Sequence, residues 1–196
     1  MSYVRIGLIS DTHIPEARKE LWPQVWDAFR KVDYILHAGD IHDLSVIDRL
    51  SELAPTFAAR GNGDAGSGGR PIQPDDDRLR EAWDLELGGI RIAMTHELPV
   101  PEIPPHLTLE KALERHFKHT DFQVAIHGDT HVEDIREIGG VLCINPGSPT
   151  YPRNLETQLG TIGFLDIRDG VPEATIWMLT EDGHEPFDWT RWRRPW

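Results

Sequence analysis

The stretch Val4–His13, VRIGLISDTH, decides the fold. Its apolar, β-branched first part suits a short buried strand, and it gives way abruptly to Asp11-Thr12-His13. A strand that delivers an aspartate and a histidine at its carboxyl end suits an α/β sheet, where ligands bind outside the carboxyl ends of the strands. The pattern recurs downstream. Pro23 can open a helix, with Val25, Trp26, Phe29 and Val32 at helical spacing. Tyr34–Ala38 reads as a second strand ending at Gly39-Asp40. Leu44, Ile47, Leu50 and Leu53 form another helical stripe, and Thr56–Ala59 is a short strand leading into Gly61-Asn62-Gly63-Asp64. This β-α-β-α-β order predicts a largely parallel sheet.

Residues 65–81, AGSGGRPIQPDDDRLRE, read as an exposed, mobile loop. Gly88-Gly89 joins Trp83–Leu87 to Ile90–Thr95 as a hairpin. Pro99–Pro105 is a stiff excursion before a helix capped by Thr108 and running to about His119. Gln123–His127 is a further strand. Two more hairpins, Asp134–Ile138 with Val141–Ile144 and Thr161–Ile167 with Ala174–Leu179, predict a mostly antiparallel second half.

At 196 residues, 39% hydrophobic and 27% charged, the chain is one ordinary globular domain. A net charge of −13 argues against duplex nucleic acid as a partner but not against a small phosphate ester, because bound cations would reverse the local field. The lone Cys143 excludes a disulfide framework and fits a reducing compartment. With no leader-like N-terminus and no run approaching a membrane span, a cytoplasmic protein is expected.

The polar residues at the strand ends are Asp11, His13, Asp40, Asn62, His96, Asp129 and His131. All are oxygen or imidazole donors, which suit Mn, Fe, Zn or Ni better than a thiolate site would. Seven exceed the need of one tetrahedral ion and match a pair of ions about 3.5–4 Å apart sharing a carboxylate. In that order, Asp11-x-His13, Gly39-Asp40, Gly61-Asn62-x-Asp64, Thr95-His96 and Gly128-x-Thr130-His131 resemble the calcineurin-like metallophosphoesterase superfamily. The Gly-Asn-x-Asp form and the later Asn145-Pro146-Gly147-Ser148 resemble its small prokaryotic phosphodiesterase branch.

The resemblance implies a four-layer α/β/β/α sandwich over residues 1–180, with a Trp/Arg-rich tail at 181–196. It implies two divalent ions, Mn first, with Fe, Zn or Ni as alternatives. Asp11, His13 and His131 would hold one ion and Asn62 and His96 the other, with Asp40 bridging and Asp64 orienting a ligand. Catalysis is thus assigned to Asp40, Asn62 and Asp64, with a metal-bridging hydroxide attacking phosphorus. The expected activity is hydrolysis of a small phosphodiester. The rivals are a phosphomonoesterase acting on nucleotides or sugar phosphates, and a non-catalytic scaffold like the retromer subunit of the same superfamily.

Three departures stand out. Asp129 replaces a family histidine that ligates the second metal, adding a third carboxylate to the site. Glu97 and Leu98 follow His96 where the branch has Gly and another His. Gly63 stands where larger protein phosphatases place a histidine near the leaving group. Of the other histidines, His37 reads as packing, His42 as a residue within reach of the site's mouth, His127 as buried, and His106, His116, His119 and His184 as surface. Asn145 and Ser148 read as turn residues, and Arg60 and Arg70 as solvated. The tail residues Trp189, Trp192, Trp196, Arg191, Arg193 and Arg194 read as docking on the chain's own acidic surface or on a second subunit of a homo-oligomer.

Overall fold

The computed structural model describes residues 2–191, so Trp192, Arg193, Arg194 and Trp196 of the tail lie outside the described residues. Three short helices flank two sheets. The first sheet contains β1 (Tyr3–Ile9), β2 (Tyr34–His37), β3 (Thr56–Ala59), β4 (Leu79–Arg80), β10 (Thr161–Arg168), β11 (Val171–Thr180) and β12 (Gly183–Pro186), in the order β12-β11-β10-β1-β2-β3-β4. The second contains β5 (Ala82–Leu87), β6 (Ile90–Thr95), β7 (Val124–Ile126), β8 (Asp134–Ile138) and β9 (Val141–Asn145), in the order β5-β6-β7-β9-β8.

Burial separates the four layers. Ile6, Leu8, Leu36 and Ala59 of the first sheet meet Trp83, Ile92, Met94, Val124 and Ile144 of the second in one apolar core. On the first sheet's outer face, helix α1 (Pro23–Phe29) and helix α2 (Ser45–Ser51) bury Val25, Phe29, Val46 and Leu50 against Ile9, Ile35 and Ile162. On the second sheet's outer face, helix α3 (Leu109–Phe117) buries Leu109 and Leu113 against Ala93, Ala125 and Cys143. This is the expected α/β/β/α sandwich. Each fully buried Leu or Ile contributes about 1.5–3 kcal/mol, so the packed layers carry most of the stability. No described helix is long and apolar enough to cross a membrane.

Pro23 occupies the first turn of α1, but that helix stops at Phe29, short of Val32. Thr108 caps α3 by accepting from the Lys111 N–H at 3.4 Å, and Lys118, at φ 66°, ends the helix before His119. β1, β2 and β3 are parallel as expected. The second half is mostly antiparallel as expected, in the pairs β8–β9, β1–β10, β10–β11 and β11–β12, but β7 pairs in parallel with both β6 and β9. The segment 65–81 is not wholly loop. Arg60 N–H bonds the Arg80 carbonyl at 2.8 Å, and Leu79–Arg80 returns as β4 beside β3. The first sheet also runs past residue 180, since Gly183–Pro186 pairs with β11.

Candidate metal centre

Parallel pairing within each sheet brings five strand ends to one edge: β1, β2 and β3 from the first sheet, β6 and β7 from the second. The two sheets touch there. The His96 Nδ1–H donates to the Ala38 carbonyl at 2.7 Å, and the Asp129 N–H donates to Asp11 Oδ1 at 3.2 Å. Gly128 makes this approach feasible, since a Cβ on it would stand 1.9 Å from Ser10 Oγ.

Three of the loops share a local sequence and a backbone. Asp11-Thr12-His13, Asp40-Ile41-His42 and Asp129-Thr130-His131 each read Asp-x-His. In all three, both the aspartate and the histidine adopt positive φ, at 53° and 45°, 55° and 64°, and 67° and 57°. A left-handed backbone costs an L-residue about 1–2 kcal/mol, so six such residues in one place are held there by the surrounding fold.

The donors cluster into overlapping trios. Asp11, His13 and His131 offer ligand atoms within 4.8 Å of one another, and so do Asp11, Asp40 and His96. Asp40 faces two ways: its Oδ2 is 3.3 Å from His13 Nε2 and its Oδ1 is 3.6 Å from His96 Nε2. Asn62 is exposed and lines a cleft with His96 and Asp129. Asp129 Oδ1 lies 3.9 Å from His96 Nε2, but Asp129 is half exposed and belongs to neither trio. All seven expected donors therefore lie in one neighbourhood, five of them in the tight cluster.

Backbone hydrogen bonds decide which ring nitrogens point into this cluster. His96 and His131 use Nδ1–H to bond the carbonyls of Ala38 and Tyr151, at 2.7 and 2.8 Å. In the neutral rings, Nε2 is then a lone pair, yet each lies 3.6 Å from a carboxylate oxygen, of Asp40 and Asp11 respectively. Two acceptors face each other unless a proton or a metal ion lies between them. The Nε2 atoms of His13 and His96 are buried with no hydrogen-bond partner, as open ligand positions are.

Charge tells the same story. Burial lifts Asp11 to about 7, with His96 and the Ser10 hydroxyl pulling the other way. At Asp40 burial also pushes upward, but the close imidazoles of His13 and His42, with His96 and the Gly63 N–H, hold the carboxyl well below its usual range. Burial disfavours the charged form of His96, but the carboxylates of Asp11 and Asp40 more than offset it and raise the pKa. At His131 burial wins, which keeps the ring neutral and its Nε2 free to coordinate. The buried oxygen and imidazole donors fit divalent cations.

Around this cluster stand residues that hold it in place. Asp64 is fully buried and accepts the N–H groups of Gly61, Ile41 and His42 at 2.9, 3.3 and 2.8 Å, which matches an orienting role. Asn145 Nδ2 donates to the Gly128 carbonyl and Thr130 Oγ1, and Ser148 Oγ donates to the Asp11 carbonyl at 2.8 Å. His37 does more than pack. Its Nδ1 accepts the Gly39 N–H at 3.2 Å, leaving Nε2–H to donate to Thr12 Oγ1 at 3.0 Å, which ties two of the loops together. His127 is buried, and desolvation lowers it to about 4.

Other expectations change. His42 is buried, not at the mouth, with its ring centroid 4.1 Å from that of His13 and both nitrogens without a hydrogen-bond partner. The third Asp-x-His was the signal that could have placed it with His13 and His131. Glu16, which forms a third trio with His13 and His42, has no signal in the sequence. Neither arginine is simply solvated. Arg60 donates to the Gln73 carbonyl at 2.8 Å, and Arg70 Nε reaches both Glu16 oxygens at 2.9 Å. Of the surface histidines, His119 is partly buried against Phe122, while His106 and His116 line the cleft.

Comparison with known proteins agrees with this geometry. Residues 4–170 match the calcineurin-like phosphoesterase superfamily domain. A probable metallophosphoesterase of Methanothermobacter thermautotrophicus is 37% identical over 148 residues, covering 76% of this chain and 78% of that one. A phosphodiesterase of Methanocaldococcus jannaschii is 28% identical over 174 residues, covering 83% of this chain and 93% of that one. Among solved structures, Vacuolar Protein Sorting 29 of Cryptosporidium parvum is similar in fold, with TM-score 0.72, 20% identity and coverage of 94% and 96%.

Proposed function

The chain belongs to the calcineurin-like phosphoesterase superfamily, and on that premise we propose that it is a dinuclear metal-dependent phosphodiesterase acting on small diesters. The observation that carries the proposal is the convergence of buried imidazole nitrogens and carboxylate oxygens, with His96–Asp40 and His131–Asp11 at 3.6 Å each, a donor set that suits divalent cations.

Asp11, His13 and His131 would hold one divalent ion, and Asn62, His96 and Asp129 the other, with Asp40 between them. The donor set suits Mn first, and also Fe, Zn or Ni. Such ions, when bound, supply Lewis acidity toward the phosphoryl oxygens and a water of lowered pKa. Everything else falls to the chain. Asp64 fixes the loops that carry Asp40 and Asn62, and His37 keeps the Asp11 and Asp40 loops in register. Asn62, exposed at the cleft, can donate its amide N–H to a phosphoryl oxygen.

The diester preference draws on two features. One curated relative is named a phosphodiesterase. The cluster also adjoins the cleft beyond His96 and, on the His131 side, the exposed Tyr151 ring, 5.3 Å from that of His131, surfaces that suit a phosphate bearing two organic arms. Acidity weighs against duplex nucleic acid as a substrate. A cytoplasmic setting fits the unpaired, buried Cys143.

A scaffold is the second reading, favoured by the fold similarity to a vacuolar sorting protein and by Asp129. Metal analysis after incubation with Mn separates the two, combined with hydrolysis of bis(p-nitrophenyl) phosphate and p-nitrophenyl phosphate. The enzyme reading expects two ions per chain and faster cleavage of the diester. No bound ion and no turnover would leave the scaffold, and faster cleavage of the monoester would make the protein a phosphomonoesterase.

A further inference from the structure

Beside the candidate centre lies a cleft of about 550 Å³, a volume that accommodates a nucleotide-sized group. One wall is the centre itself, through Asn62, His96 and Asp129. Another is α3. While Leu109 and Leu113 face the core, Lys111 and Ala112 line the cleft with Arg115, which follows them by four and three residues. Leu98 and Leu107 add apolar surface, and Leu107 is 54% exposed although nothing polar requires it to be there.

Charge within the cleft is unevenly committed. Arg60 is tied to the Gln73 carbonyl at 2.8 Å and lies 3.6 Å from Glu81, so that pair is accounted for. Asp129 belongs to the centre. Of the carboxylates lining the cleft, that leaves Glu97 to set against Lys111 and Arg115. The Arg115 guanidinium has no hydrogen-bond or ion-pair partner among the described residues, and Lys111 Nζ reaches only the Pro105 carbonyl. On a chain of net charge −13, two cations with no ion-pair partner among the described residues, one helical turn apart beside the candidate centre, mark a place for an anion.

Resting on the phosphodiesterase reading above, we propose that this cleft receives one arm of the substrate. That arm is a nucleoside-sized group lying along Leu98, Leu107 and Ala112 and ending in a second phosphate held by Lys111 and Arg115. The preferred substrate is a short diester of the terminally phosphorylated dinucleotide kind.

The test uses the full chain loaded with Mn and three related diesters: thymidylyl-thymidine and its 5′- and 3′-phosphorylated forms. Bis(p-nitrophenyl) phosphate serves as a diester without a terminal anion. The wild type is expected to prefer one phosphorylated dinucleotide over the plain one by about tenfold or more in kcat/KM. Replacing both cations (Lys111→Ala, Arg115→Ala) should abolish that preference while leaving bis(p-nitrophenyl) phosphate within about twofold, since both side chains are exposed and alanine favours helix. Lys31→Ala, which removes a charge at the opposite ends of the strands, should change nothing.

A second readout is independent of turnover. Calorimetric binding of thymidine 3′,5′-bisphosphate to the metal-free protein should weaken about tenfold in the double variant and not in Lys31→Ala. Diester hydrolysis with no preference, or equal losses on every diester, overturns the cleft assignment and leaves the phosphodiesterase reading standing. Bisphosphate binding that depends on Lys111 and Arg115, without hydrolysis of any diester, does the reverse.

Discussion

A Cβ on Gly63 would lie 2.2 Å from Nε2 of His42, so the imidazole of His42 occupies the space directly above this glycine. The same ring lies 3.8 Å from Asp40 Oδ2. A side chain at 63 and the present position of His42 are mutually exclusive. Gly63→Ala should push His42 away from Asp40, destabilise the fold by about 1–3 kcal/mol and weaken metal binding. Thermal unfolding and metal titration of the variant check this, and unchanged values for both would mean that His42 moves freely.

Asp64 touches no expected ligand side chain, yet three backbone N–H groups converge on it. Asp64→Asn keeps its size but turns an acceptor into a donor against one of them. Metal affinity is expected to fall about ten- to a hundredfold, the usual cost of losing a group that orients ligands. Competition against a metallochromic chelator measures it.

Asp129 adds a third carboxylate beside Asp11 and Asp40, offsetting more of the charge of two divalent ions and weakening their pull on a phosphate anion. Asp129→His should shift the order of metal preference and lower KM for an anionic diester by about tenfold. A variant with the same metal order and the same KM would show that Asp129 does not coordinate.

His37 is the pH-sensitive part of the frame. Burial, reinforced by His96 and His13, lowers it to about 3, against about 6.5 in the unfolded chain. The unfolded state binds the extra proton between these values, so the stability His37 contributes is complete above pH 6.5 and is lost as pH falls toward 3. The slope approaches about 1.4 kcal/mol per pH unit in that window. Asp11, raised to about 7, works in the opposite sense in metal-free protein, its contribution disappearing as pH rises from about 4 to 7. Comparing denaturant midpoints of wild type and His37→Gln across pH 4–6.5 cancels the Asp11 contribution, and parallel curves would mean that His37 is charged in the native fold.

Much of this was legible from local pattern. Strands ending in polar residues, the Pro23 start, the Thr108 cap and the seven donors all lie within a few residues of the signals that reveal them. What escaped depends on distant partners. The parallel pairing of β7 with β6 and β9 joins Ile92 to Val124 and Val124 to Leu142, segments well separated in sequence, and no periodicity names a strand's neighbour. β4 is two residues long, too short for alternation to register, and β12 is masked by Gly183 and Pro186 at its ends. The left-handed backbone at Asp11, His13, Asp40, His42, Asp129 and His131 was invisible for another reason. Positive φ is usually read from glycine, and here tertiary contacts impose it on residues that disfavour it.

Those six positions sit on loops anchored by a packed apolar interior and by backbone amides, through Asp64, His37, Asn145 and Ser148. Frame and donors are thus separable. In a small zinc module, losing one ligand dissolves the whole fold. In this chain the apolar layers lie apart from the donors, so replacing one donor is expected to change metal binding while the sandwich persists.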